Sequence, residues 1–207
     1  SESERDLSFM KATANTAASY LTTQLLPSMR FSFMLGVNQI QDRFARFEDN
    51  DLSLAYGEWK GSQMISSGAI SSDLSFGKII LVPYVRLDMA KLKLDPFSES
   101  GDGDYLLHYH KQTMLSQRST LGFNSEMKVA TSWGELIPRL KVELQRDFAR
   151  RDSLKINYID VPDAVYLVPN NDLDRRMILI SLGADMMWKN GMVTISNFTH
   201  SNANAGN

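Results

Sequence analysis

The residues best equipped for chemistry sit close together in the middle of the chain. His108 and His110 are two apart, so on a strand they share one face and could hold a metal ion between them. Gly101-Asp102-Gly103-Asp104 lies just upstream and offers carboxylate oxygens of the kind calcium takes. Neither group reaches a full ligand set. Asp102 and Asp104 are the only further donors near the histidines, and a calcium loop of the helix-loop-helix type needs more oxygens and a distal Glu. The spacing favours two histidines and a flexible acidic turn within a polar loop. No G-x-S-x-G elbow and no phosphate-binding G-x-x-x-x-G-K-[ST] loop occurs. Ser, His and Asp are present, but no spacing groups them as nucleophile, base and orienting acid. Cysteine is absent, which removes thiolate ligands and disulfides. The chain is expected to carry no catalytic residue, no metal and no cofactor.

A second set of charged residues recurs at a spacing of two. In Leu81–Met89, Arg86 and Asp88 alternate with Leu81, Pro83, Val85, Leu87 and Met89. In Leu136–Leu144, Arg139, Lys141 and Glu143 alternate with Leu136, Pro138, Leu140, Val142 and Leu144. Arg30 opposes Phe31 and Phe33; Asp73 opposes Leu74 and Phe76; Glu126 and Lys128 oppose Met127 and Val129; Asp185 opposes the run through Ile178 and Ile180. Period two with one apolar face marks a strand between two different solvents. A polar face carrying full charges of both signs is unusual inside a soluble sandwich and ordinary in the lumen of a membrane barrel. Arg30, Asp73, Arg86, Asp88, Glu126, Lys128, Arg139, Lys141, Glu143 and Asp185 are therefore expected to line a pore. Phe31, Phe33, Val85, Leu87, Leu140, Val142, Ile178 and Ile180 are expected to face lipid. The charges fit a hydrated wall that a polypeptide passes without sticking, and equally fit ion pairs that satisfy one another across neighbouring strands.

The elements that position these residues follow from the same alternation. Strands are expected at Tyr20–Leu26, Met29–Asn38, Ala69–Phe76, Leu81–Met89, Gln112–Val129, Leu136–Phe148, Met177–Trp188 and Met192–Thr199, with residues 1–16 a polar lead-in. After Met89, Lys91, Lys93 and Asp95 take over the formerly apolar face, as in a strand leaving the hydrocarbon layer after the roughly 9–11 residues a crossing needs. The connections alternate: short at 27–28, 77–78, 130–134 and 189–191; long at 39–61, 90–111 and 149–174. Membrane barrels pair short periplasmic turns with longer extracellular loops. Trp133 and Trp188 flank short turns, where a half-wet ring suits the interface; Trp59 falls in a long loop.

Composition sets the outer limits. The chain has 207 residues, 43% of them hydrophobic, and a formal net charge of -2, so it lacks the basic footprint of a nucleic-acid partner. Mean hydropathy is -0.25. No apolar run approaches 18 residues, which excludes a transmembrane helix but not a barrel, whose apolar residues are diluted one to one. No signal peptide is visible: Ser1–Asp6 is charged and Leu7–Met10 is too short. The eleven Met residues suit lipid contact or gap filling.

Three stretches, between about Tyr20 and Thr199, resemble the autotransporter β-domain, the C-terminal translocator of type V secreted proteins in Gram-negative bacteria. The first is FGKIILVPYVRLDMAKLKLDPFSESG, with a D-x-F-x-E element at Asp95, Phe97 and Glu99. The second is STLGFNSEMKVATSWGELIPRLKVELQRDF, with Gly122, Pro138 and Phe148 where the family usually has them. The third is ISLGADMMWKNGMVTISNF. The resemblance implies an all-β, antiparallel up-and-down transmembrane β-barrel over residues 17–207, seated in outer-membrane lipid. It also implies a covalently linked N-terminal passenger, insertion by the barrel-assembly machinery, and no covalent chemistry in the barrel itself. The family barrel has twelve strands, whereas about eight or nine are visible here, and the first strands and the last strand of the family pattern are not apparent. Because a barrel must close to remove its edges, either ends have been trimmed from the chain or it closes with fewer strands. Two alternatives stand beside this reading: another outer-membrane barrel acting as a small channel or enzyme, and a soluble all-β binding module.

Overall fold

The structure, a computed structural model, describes residues 10–47, 53–103, 105–151, 153–169 and 173–205. Its first strands are β1 (Met10–Leu26), β2 (Met29–Phe47), β3 (Leu54–Ser72), β4 (Leu74–Phe76) and β5 (Ile79–Leu94). Three short strands follow: β6 (Phe97–Ser98), β7 (Ser100–Gly101) and β8 (Leu107–Tyr109). Then come β9 (Gln112–Met127), β10 (Val129–Thr131), β11 (Gly134–Arg151), β12 (Leu154–Tyr158), β13 (Tyr166–Val168), β14 (Leu173–Trp188) and β15 (Val193–Ala205). The main sheet runs β1-β2-β3-β5-β9-β11-β14-β15, antiparallel throughout and in chain order. β1 and β15 are its edges, and the sheet is open between them.

Tight turns join the strands at one end. Pro27-Ser28, Gly77-Lys78, Ser132-Trp133 and Lys189-Asn190 form that end, and Gly77 takes φ 62° and Gly191 φ 85°, backbone that glycine adopts without strain. At the opposite end two connections fold together into a second sheet, β13-β12-β8-β6. The segregation of short turns from longer connections is thus as expected.

The strands run longer than the alternation suggests. β1 begins at Met10, so Met10–Thr16 is ladder rather than lead-in, paired with β2 from Phe44 to Asn38. The polar stretch 39–61 is mostly strand: β2 continues to Phe47 and β3 starts at Leu54, with Trp59 inside it. β15 likewise continues past Thr199 to Ala205. Above the apolar band both faces meet water, so a strand there has no apolar face to mark it. In β2 the pattern inverts: Gln39, Gln41 and Arg43 continue the outward face, and Ile40 and Phe44 turn inward.

Burial is the reverse of a water-soluble core. The buried polar residues include Asp42, Glu99, Thr120, Glu143, Gln145 and Asp185, whereas the buried apolar residues described are only Ala45, Ala55 and Met186. Phe33, Val85, Leu87, Ile178 and Ile180 are exposed, and Phe31, Leu140 and Val142 are half-buried on the same face.

Candidate functional site

Strand register puts the charged residues expected to line a pore in phase on one face of the main sheet. Register fixes this: Arg30 pairs with Ser71, Arg86 with Ala69 and Thr120, Lys141 with Asn124 and Ser181, and Glu143 with Gly122. Lys128 lies exposed between β9 and β10; Glu126 opposes Arg139 and Val129 opposes Leu136, so the register runs through it unshifted and keeps it in phase with Glu126. A cavity of about 700 Å³ on this face is lined by Arg30, Asp73, Glu126, Arg139 and Lys141, together with Asn197 of β15. Residues from β2 and β15 share one cavity, so the charged face is the concave one.

The wall is organised around Glu143, whose side chain is almost wholly buried. Lys141 Nζ lies 2.9 Å from its Oε1, Gln145 Nε2 donates to its Oε2 at 2.7 Å, and Arg86 Nη2 stands 3.9 Å away. The fourth partner comes from two strands over. Tyr84 and Glu143 both face Gly122 of β9, and the Tyr84 hydroxyl crosses that glycine to donate to Glu143. A Cβ at position 122 would lie 2.9 Å from the Tyr84 ring and 2.8 Å from the Val142 carbonyl oxygen. A buried carboxylate is tolerated only with such a set of donors.

The other charges pair locally. Arg86 Nε lies 2.9 Å from Asp88 Oδ2, and Ser67 Oγ donates to Asp88 Oδ1 at 2.6 Å. In the same row Arg118 Nη2 donates to Asp147 at 3.0 Å. Arg30 and Asp73 pair at 2.7 Å near the tight turns, and Arg139 pairs with Asp185. Glu126 stands opposite Arg139 across the β9–β11 ladder. Arg118, Asp147 and Thr120 belong to this wall although the sequence reading did not single them out, as does Gln145, which alternation puts on the polar face but which was not among the expected pore-lining residues. All four continue the same period-two faces, so the signal was there to be extended.

At the end with the longer connections, the D-x-F-x-E element pins the chain down. The Asp95 N–H donates to the Lys60 carbonyl at 2.9 Å. Phe97 stacks on Tyr109 with centroids 4.5 Å apart and meets Phe44 edge-on at 6.0 Å. Glu99, 3% exposed, accepts from Arg46 Nε at 2.8 Å, from Arg46 Nη2 at 2.6 Å and from the Leu107 N–H at 2.9 Å. Burial, followed by the Glu99 charge, raises the Tyr109 hydroxyl pKa above its ordinary value. His108 and His110 meet edge-on at 4.9 Å, but each ring has its own partner: Ser98 Oγ at 2.8 Å and Asn157 Oδ1 at 2.9 Å. Asp104 lies outside the described residues, among which no three His, Asp or Glu side chains gather as a cation site. At the other end Trp133 and Trp188 stack obliquely at 5.5 Å, and Trp188 Nε1 donates to Thr194 at 3.1 Å.

Compared with curated proteins, the chain finds no match. Compared with protein-family models, it matches the autotransporter beta-domain over residues 3–196. Nearly the whole chain is covered, and the antiparallel up-and-down sheet fits that family's barrel, so the chain belongs to the autotransporter β-domain family, whose role is outer-membrane translocation of a passenger.

Proposed function

We propose that the concave charged face lines the path of a covalently linked N-terminal passenger across the outer membrane of a Gram-negative cell, and that the convex apolar face meets outer-membrane lipid. The observation that supports this most is the inverted burial: Glu143 and Asp185 are enclosed while Val85, Leu87 and Ile178 stand exposed. Ion pairs hold most of the wall's charges in place. A wall of this kind offers an extended chain polar contacts that water replaces at little cost, and few apolar surfaces to adhere to. In this reading the barrel makes and breaks no covalent bond, and the barrel-assembly machinery inserts it.

Because the chain has no cysteine, the experiment is direct. Single cysteines are placed at Arg139 or Lys141, and separately at Leu140 or Val142, in the chain joined to a reporter passenger that stalls during export. Disulfide cross-links from the stalled passenger to positions 139 and 141 alone are expected. Cross-links to 140 and 142 would assign the passage to the wrong face.

A further inference from the structure

The second sheet is built from two connections that start at separate points of the wall. β6 and β8 belong to the connection from β5 to β9, and β12 and β13 to the one from β11 to β14. The first pair is fastened to β2. Phe44 and Arg46 stand at even spacing from Arg30, and the β2–β3 register is unbroken from Met29 to Phe47, so both lie on the concave face. Phe97 meets Phe44 there, and Glu99 accepts both guanidinium bonds from Arg46. The second pair comes from the far side, with β3, β5 and β9 lying between β2 and β11 in the main sheet. A bridge between two such points of a concave sheet is a chord across its mouth.

Two leaves of unequal attachment meet in this bridge. The β6-β8 leaf holds the wall through the buried Glu99 carboxylate and through Phe97, which stacks on Tyr109 behind it. The β12-β13 leaf pairs with β8 and with no strand of the main sheet. The seam between the leaves is short: its register runs from Leu107 to Tyr109 against Tyr158 to Ile156. The His110 N–H donates to the Lys155 carbonyl at 3.1 Å, the Ile159 N–H donates to the Leu106 carbonyl at 2.9 Å, and the His110 ring lies 2.9 Å from Asn157 Oδ1. Neutral backbone bonds of this kind are about half as strong as the charge-assisted pair that holds the first leaf, so the bridge gives way at the seam first.

We infer that the seam between β8 and β12 is a gate across the mouth of the lumen, at the end with the longer connections. The leaves part there to let a polypeptide out and rejoin behind it, while Arg46 and Glu99 keep the first leaf against the wall. Each leaf swings on its own connection, so opening breaks the seam and leaves the main sheet intact. The inference rests on the reading that the concave face is a passage, and the test separates the two.

The chain has no cysteine, and Leu107 and Tyr158 are direct partners across the seam, within the separation a disulfide spans. Leu107→Cys with Tyr158→Cys therefore makes a seam that can be locked and released. The full chain carrying this pair is folded into a planar lipid bilayer, and single-channel currents are recorded oxidised and then reduced. Oxidation should lower the open probability at least about tenfold, because the cross-link forbids the separated state. Reduction should restore it, with the current of the open channel unchanged. Ile156→Cys with Tyr166→Cys places the same bond inside the second leaf and should leave the open probability alone. Equal open probability of the seam pair before and after reduction would overturn the gate, as would an equal response from the pair inside the leaf. Failure of the seam cysteines to join, read on a non-reducing gel, would show that the leaves do not meet there and would also overturn it. Channels absent from every form, with folding confirmed by protease resistance of the strands, would overturn the passage itself and the gate with it.

Discussion

Gly122 has no side chain at the one place where a side chain would separate Tyr84 from Glu143. Gly122→Val should push the Tyr84 ring off β9 and strip the buried carboxylate of its hydroxyl donor. Tyr84→Phe removes the same bond without crowding. A hydrogen bond to a charged group contributes about 1.5–3 kcal/mol, so urea unfolding from lipid should show at least that loss for Tyr84→Phe and a larger one for Gly122→Val. A neutral Tyr84→Phe would mean that Lys141 and Gln145 suffice. At the other end, Arg46→Met leaves Glu99 enclosed without its guanidinium. Removing one partner of a buried pair costs roughly 3–5 kcal/mol, and the loss should appear as faster amide exchange at Leu107, whose N–H shares that carboxylate. The sequence made half of these contacts legible. Arg86, Lys141 and Glu143 stand out by alternation. That Tyr84 reaches Glu143 across β9 depends on the register of three strands, which spacing within one strand does not reveal. Arg46 lay in a stretch whose polarity read as loop.

At the scale of the strand, depth decides what a side chain may be. Val142 lies mid-way along the apolar run of β11, whereas Gln41 lies past the end of the run on β2. Val142→Lys should cost about 2–4 kcal/mol, and Gln41→Lys about 0–1 kcal/mol. Folding yield in vesicles, followed by reversible unfolding, measures both; equal costs would mean that the band does not end where the polar residues begin. The same depth dependence explains which parts of the strands the sequence revealed. Within the band, the chain must alternate to serve lipid on one side and water on the other, so the strand centres and all four tight turns were readable. Above the band both faces are wet, alternation lapses or inverts, and β2, β3 and β15 run on through residues that look like loop. The short strands β6, β8, β12 and β13 are assembled by long-range pairing between two separate connections. Their segments of two to five residues carry no period of their own.

For the whole molecule, the sign of the burial is the governing fact. Moving one Val, Leu, Ile or Phe side chain out of water is worth about 1.5–3 kcal/mol. More than a dozen stand exposed on the convex face, a total well beyond the roughly 5–15 kcal/mol that holds a domain together. In the proposed seating, lipid supplies the missing solvent. Hydrocarbon does not tolerate the unpaired backbone edges of β1 and β15, so in the membrane both edges must be paired. The central claim is that the two faces of the sheet meet different solvents, and the absence of cysteine makes it measurable. Spin labels are placed singly at each position from Leu136 to Phe148 in the chain folded into vesicles, and their collision rates with oxygen and with a water-soluble nickel complex are recorded. Oxygen access should peak at 138, 140, 142 and 144, with nickel access peaking at 139, 141, 143 and 145. Rates without a period of two, or with the phases exchanged, would contradict the account.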